Sequence, residues 1–187
     1  MSLVCQWNKM STVDLMLLGV LMQKNMNAYE MKKEMEKRSI QDWVKISSPS
    51  IYKNLVKLYK MGYVDGETVR EGEMPEKTIY SINDKGRKYF MRLMQHYSED
   101  PGRIYVDFCA FISNLQNIDP KTGLQMVENL EENIAFRRDC INGELKKKDE
   151  VSFYAASVID LYSKIYDIFY NWIIEFKKQY AKDSKKG

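Results

Sequence analysis

Between Ser47 and Val64 one short stretch of chain carries a helix start, an apolar stripe, a cationic face and a stop signal. Ser48 is placed to cap a helix whose first residue is Pro49, where a missing N–H is harmless because first-turn donors have no intrahelical partner. Gly62 supplies the left-handed residue that ends the helix. Ile51, Leu55 and Leu58 recur at i, i+4 and i+7, a stripe that seats a helix of about residues 49–61 on a small core. At 100° per residue, Ser50, Lys53, Lys57 and Lys60 fall on the opposite side, and no acidic residue occurs from Val44 to Val64. A short helix offering three lysines and a small hydroxyl has the dimensions and charge of an element that enters the major groove of duplex DNA. Most cationic helix faces meet only water, so the flanking segments decide the reading.

Those segments have a definite order. A helix is expected from about Thr12 to Gln23, with Leu15, Leu18 and Met22 on one face, Leu17 and Leu21 beside them, and Gly19 at a close helix–helix approach. Asn27 caps a second helix, and Glu30 completes a capping box. That helix carries Tyr29, Met31 and Met35 and ends near Ser39. Trp43, in the following loop, is expected to close the small core. After Gly62 the period changes. Residues 63–70 and 77–82 alternate, separated by Glu71-Gly72-Glu73-Met74-Pro75, the pattern of a β-hairpin. Three helices followed by such a hairpin describe a winged helix-turn-helix, expected over residues 11–98.

Beyond the hairpin the pattern is helical throughout, giving a fold that is mainly α with one small β-hairpin. Asn83 caps a helix to about Tyr97, Pro101-Gly102 breaks the chain, and Ile104–Ile118 is rich in aromatics. Asp119-Pro120 opens a long helix with Leu124, Val127, Leu130, Ile134, Ile141 and Leu145 on one side. The last helix, about Val151 to Tyr180, carries Val151, Tyr154, Val158, Leu161, Ile165, Ile168, Trp172, Phe176 and Tyr180 at spacings of three and four, widened by Phe169 and Ile173. Two such stripes cannot bury themselves in one another alone. A C-terminal α-helical dimerisation domain over residues 101–181 is therefore expected, joined through Val158, Leu161, Ile165, Ile168, Trp172 and Phe176 to a second copy by an isologous contact.

Charge separates the same two regions: residues 1–97 carry a net +5 and residues 98–187 a net −2. That places any polyanion site in the first half. Cys5, Cys109 and Cys140 are widely spaced, without a Cys-x-x-Cys pair, which suits reduced thiols in a cytoplasmic protein. No apolar run is long enough for a membrane span. The first ten residues lack the apolar core of a signal peptide, and Met10 is a second candidate start that would make Met1–Lys9 an extension. His96 is the only histidine, and nucleotide-loop and nucleophile-elbow motifs are missing. The adjacent acids Glu131-Glu132 and Asp149-Glu150 diverge around a helix and make poor catalytic pairs. No enzyme, cofactor or metal site is expected.

Three segments carry a family resemblance. Ala28-Tyr29-Glu30 resembles the Gly-Tyr-Glu that opens the second helix of the PadR family of winged-helix transcriptional regulators. The run Pro49–Val64 resembles that family's recognition helix, keeping its Pro, Tyr, two Leu and the Gly-aromatic-Val close. Lys77–Arg87 resembles the second wing strand running into a Thr-x-x-Gly-Arg helix start. The resemblance implies a homodimeric repressor reading a palindromic operator in double-stranded DNA, of the larger family branch with a long helical C-terminal domain. It also implies a small aromatic or hydrophobic effector in some members. Ala28 departs from the usual Gly, and the wing tip is acidic, with Glu67, Glu71, Glu73 and Glu76.

The DNA-binding set that follows is Tyr29, Ser48, Ser50, Tyr52, Lys53, Asn54, Lys57, Lys60, Arg70 and Lys77. The lysines meet phosphate or base edges, Ser48 and Ser50 bond at the helix start, and Asn54 reads adenine if it points outward. Tyr29 and Tyr52 touch phosphate by the resemblance, or serve as half-buried packing. The Trp172 aromatics are either core or the wall of an effector pocket. The alternative function is a winged-helix protein–protein adaptor without DNA binding. Such an adaptor would expose apolar anchors, rather than lysines, on this helix.

Overall fold

The computed structural model describes residues 10–70, 76–146 and 151–183. The chain divides into two compact units between Ile104 and Tyr105. The wing-tip residues Glu71 and Glu73 and the segment Met1–Lys9 lie outside the described residues.

In the first unit α1 (Thr12–Leu21) starts at Ser11, whose hydroxyl accepts from the Asp14 N–H at 3.2 Å. Its inward side is Asp14, Leu17, Leu18, Val20 and Leu21. The expected face is displaced, for Leu15 is half-buried and Met22 exposed. This helix is apolar nearly all round, so periodicity alone could not orient it. Helix α2 (Ala28–Lys37) begins at the Asn27 capping box with both reciprocal bonds formed, and buries Met31 and Met35. A single helical turn, Ile40–Asp42, leads to α3 (Ser48–Lys60). Ile40 is buried, and Val44 and Ile46 pack on the core. Trp43 stays about a third exposed, at 36%, so the core closes on these aliphatic neighbours and not on the indole.

Helix α3 is capped by Ser47 rather than Ser48. The Ser47 hydroxyl accepts from the Ser50 N–H, and the Ser50 hydroxyl accepts from the Ser47 N–H at 2.9 Å. Ser47 wins because this reciprocal box satisfies two first-turn donors, which Ser48 one position later cannot do. Ile51, Leu55 and Leu58 face the core as the stripe predicts. Gly62 follows at φ 69°, and the chain enters an antiparallel hairpin, β1 (Val64–Val69) with β2 (Lys77–Ile82), in register Val64↔Ile82 to Val69↔Lys77. Tyr80 of β2 also forms an isolated bridge with Met26, tying the wing base to the α1–α2 turn. Helix α4 (Asp84–Glu99) is capped by Asn83 and buries Leu93 against α1.

The second unit holds a short α5 (Phe108–Asn114) and the antiparallel pair α6 (Pro120–Leu145) and α7 (Phe153–Asp183). Ile104 and Tyr105 precede α5 and are exposed, so the expected helix starts later than its aromatic content suggests. Leu115, Val127, Ile134 and Ile173 form the buried centre, with Tyr166, Phe169, Tyr170, Phe176 and Tyr180 around it. The inward face of α7 is therefore centred on Ile173. The stripe Leu161–Ile168–Trp172 lies about 100–140° further round the helix, and Leu161 and Ile168 remain 54% and 66% exposed. Among the described residues no helix is long and apolar enough to cross a membrane.

Candidate nucleic-acid interface

The α3 stripe fixes which side chains point outward. With Ile51, Leu55 and Leu58 buried, Pro49, Tyr52, Lys53, Val56, Lys57, Tyr59 and Lys60 are left exposed. Lys53 and Lys60 are one face of this set. Tyr52 and Tyr59 flank it, Tyr59 turned edge-on to Tyr80 of the wing at 6.3 Å. Tyr29 is exposed at the start of α2, with the Lys33 ammonium 5.7 Å from its ring centre. Arg70 is exposed at the end of β1, and Lys77 is half-buried at the start of β2.

Three of the predicted contacts are occupied within the protein. Ser50 is engaged in the cap, also donating its hydroxyl to the Ser47 carbonyl at 2.6 Å. Asn54 is half-buried, and its amide donates to the Ser50 carbonyl at 2.8 Å, one turn back, so it does not project as a free base reader. Lys57 departs most from expectation. Its ammonium bonds Asp14 Oδ2 at 2.7 Å, and Asp14 is completely buried.

Asp14 is the residue that sequence reasoning missed. It is the only charged side chain between Met10 and Gln23, and it sits one turn before Leu17 and Leu18 on the inward face. The Tyr89 hydroxyl of α4 donates to the same Oδ2 at 3.3 Å, so α1, α3 and α4 meet at one carboxylate. Burial first, then the Asp14 charge, pushes the Tyr89 phenol up from its ordinary value, and Tyr97 moves the same way for the same two causes. Tyr89 stacks on Tyr63 with ring centres 4.4 Å apart. Lys85 lies over Tyr63 at 5.0 Å and the Arg92 guanidinium over Tyr89 at 5.5 Å. Cations thus flank a tyrosine pair beside the C-terminal end of α3, where Lys85 also donates to the Met61 carbonyl at 2.7 Å. A lone acid in an otherwise greasy helix was the available signal for Asp14. Its partner, 43 residues away, had none.

Residues 17–92 match the family model of PadR-like transcriptional regulators. That stretch lies within the N-terminal unit and covers less than half of the chain, and over it the chain is similar to the PadR-like family. No curated protein sequence matches the chain. Among solved structures, Bacillus subtilis PadR in complex with operator DNA is similar at a TM-score of 0.76 and 16% identity, over 91% of this chain and 98% of that one. The PadR-like regulator BC1756 from Bacillus cereus is similar at 0.68 and 20% identity, over 91% and 99%. The Vibrio cholerae virulence activator AphA is similar at 0.67 and 15% identity, over 90% and 97%. At such identities the likeness is one of fold. Within it, α2 and α3 are the helix-turn-helix pair of the PadR-type unit, and the β1–β2 hairpin is its wing.

Proposed function

We propose that this chain is a homodimeric transcriptional regulator of PadR type, acting as a repressor, that binds a palindromic operator with α3 in the major groove. The observation that carries the reading is the outward face of α3, which is free of acids and presents Lys53 and Lys60, on a fold that in Bacillus subtilis PadR was solved on operator DNA. Lys53 and Lys60 supply the salt-dependent attraction to phosphate. Pro49 and Val56, exposed beside them, offer apolar contact to thymine methyl groups. Ser48 bonds phosphate at the helix start, Tyr29 and Tyr52 reach the flanking backbone, and Arg70 and Lys77 serve from the wing strands.

Two copies join through the α7 stripe Val158, Leu161, Ile165, Ile168, Trp172 and Phe176, of which Leu161, Ile168 and Trp172 are exposed within one chain while Phe176 already packs on the buried centre. Two faces on one helix, one spent on α6 and the other exposed, are what such a contact requires. Trp172 stacks on Phe108 at 5.6 Å and Phe176 at 5.3 Å, and the exposed edge of this stack is where a small aromatic effector would insert.

The test is fluorescence anisotropy on duplexes from the region upstream of the protein's own gene. The wild type is expected to prefer one palindromic site over a scrambled duplex, with affinity falling steeply as salt rises. Lys53→Ala and Lys60→Ala should each flatten that slope by about one unit per protomer. Equal binding to both duplexes with no salt dependence would refute the reading and favour the adaptor function.

A further inference from the structure

Lys57 lies on the solvent side of α3, yet its ammonium is turned back onto a carboxylate with no exposure at all. Among the described residues, Lys57 is the cation bonded to Asp14, and Asp14 Oδ1 meets no hydrogen-bond partner. A buried carboxylate stripped of its counter-charge is far more costly than one solvent-exposed phosphate contact is worth. The competition for this ammonium is therefore lopsided. We propose that Asp14 is a positioning residue for DNA recognition: it holds the Lys57 ammonium in the seam between α1, α3 and α4, so that α3 offers phosphate two lysines rather than three.

The inference rests on the DNA-binding reading above and deepens it. Asp14 would set both the rotation of α3, through a strut fixed at one end to α1, and the non-specific charge that the helix presents. Tyr89, bonded to the same oxygen, anchors that strut to α4. A regulator with fewer non-specific phosphate contacts discriminates its operator better from bulk DNA, because non-specific binding is the part that scales with those contacts.

The experiment compares the full-length wild type with Asp14→Asn, Lys57→Met and the double variant Asp14→Leu/Lys57→Met, on two readouts. The first is amine acylation of the DNA-free protein, followed by peptide mass spectrometry. Lys57 is expected to react several-fold more slowly than Lys53 in the wild type, and as fast as Lys53 in Asp14→Asn. The second is the salt slope of binding to mixed-sequence duplex DNA. It should be unchanged in Lys57→Met and in the double variant, and about one unit per protomer steeper in Asp14→Asn, where the freed ammonium reaches phosphate. If a single variant fails to fold, wild-type acylation and the double variant, which leaves no buried charge, decide the matter. Equal acylation of Lys57 and Lys53 in the wild type overturns the proposal. So does a slope that falls by about one unit per protomer when Lys57 is removed from the folded double variant. A wild type that binds no duplex overturns the DNA role and the proposed function together, while acylation still reports whether Asp14 holds the lysine.

Discussion

Gly86 and Gly19 are both helical glycines of the first unit, and the structure assigns alanine opposite signs at the two positions. A Cβ added at Gly86 would fall on the Tyr63 carbonyl oxygen, 2.8 Å from Ile82 Cγ1 and 3.0 Å from the Tyr63 carbonyl carbon. Two of these atoms are backbone at the start of the wing, so the start of α4 has to move by about an ångström or more to clear them. That movement strains the Asn83 cap, which accepts from the Gly86 N–H at 3.0 Å and donates to Asp65 at 2.9 Å. Overpacking is worth about 1–3 kcal/mol and a lost cap about 1 kcal/mol, against a gain of about 1 kcal/mol in helix propensity. Gly86→Ala is therefore expected to destabilise by about 1–3 kcal/mol, lowering Tm by about 5–20 °C for a unit of this size. At Gly19 the nearest atom to an added Cβ is Phe90 Cε2 at 3.5 Å, an ordinary contact. Gly19→Ala should then stabilise by about 0.5–1 kcal/mol. Far-UV circular dichroism through thermal and urea unfolding measures both. A Gly86→Ala protein as stable as the wild type would show that α4 does not close onto Tyr63 as described, and loss of stability in Gly19→Ala would refute the spacing of α1 from α4.

Lys57→Met leaves Asp14 buried and unpaired; with the lysine side chain 43% exposed and water able to take part of its place, a loss of about 2–3 kcal/mol is expected. Lys53→Met should stay within about 0.5 kcal/mol of the wild type, and equal urea midpoints for the two variants would refute the pairing. Ile168→Glu and Leu161→Glu should yield folded monomers, because both positions are more than half exposed within one chain; sedimentation at micromolar concentration reads the outcome, and an intact dimer in both would sink the proposed seam. Alkaline pH should weaken the first unit: a phenol whose proton is held more tightly in the folded state contributes stability in full below about pH 10 and loses it as pH rises further. Tyr89→Phe removes one such group, so its urea midpoint should fall less steeply between about pH 10 and 12, and parallel profiles would refute the sign.

The elements most legible in the sequence are those whose signals are local. The Asn27 capping box, the Ile51-Leu55-Leu58 stripe, the Gly62 stop and the two alternating strands are all short-range signals within a single element, and each forms close to where spacing places it. Errors arise where two local solutions compete. Ser47 and Ser48 both precede Pro49, and only the residue three positions before Ser50 can close a reciprocal box. In α1 and α7 the apolar residues cover so much of the circumference that periodicity states only that the helix is buried, and the direction is set by neighbours. For α7 those neighbours choose Phe169, Ile173 and Phe176, not Leu161 and Ile168.

The candidate site was half legible for a related reason. A helical wheel separates inward from outward positions, which is why Lys53 and Lys60 are exposed as expected. It cannot say where a long side chain ends. A lysine has enough reach to leave its own face, and Lys57 does so because a carboxylate 43 residues earlier in the chain has been carried into the core by Leu17 and Leu18. The burial of Asp14 is imposed by the apolar residues around it; the turning of Lys57 is imposed by Asp14; and the charge on the exposed face of α3 is what remains. Counting lysines along the helix overstates that charge by one, and the surplus is traceable to a single acidic residue in a helix that the helix-turn-helix pattern does not include.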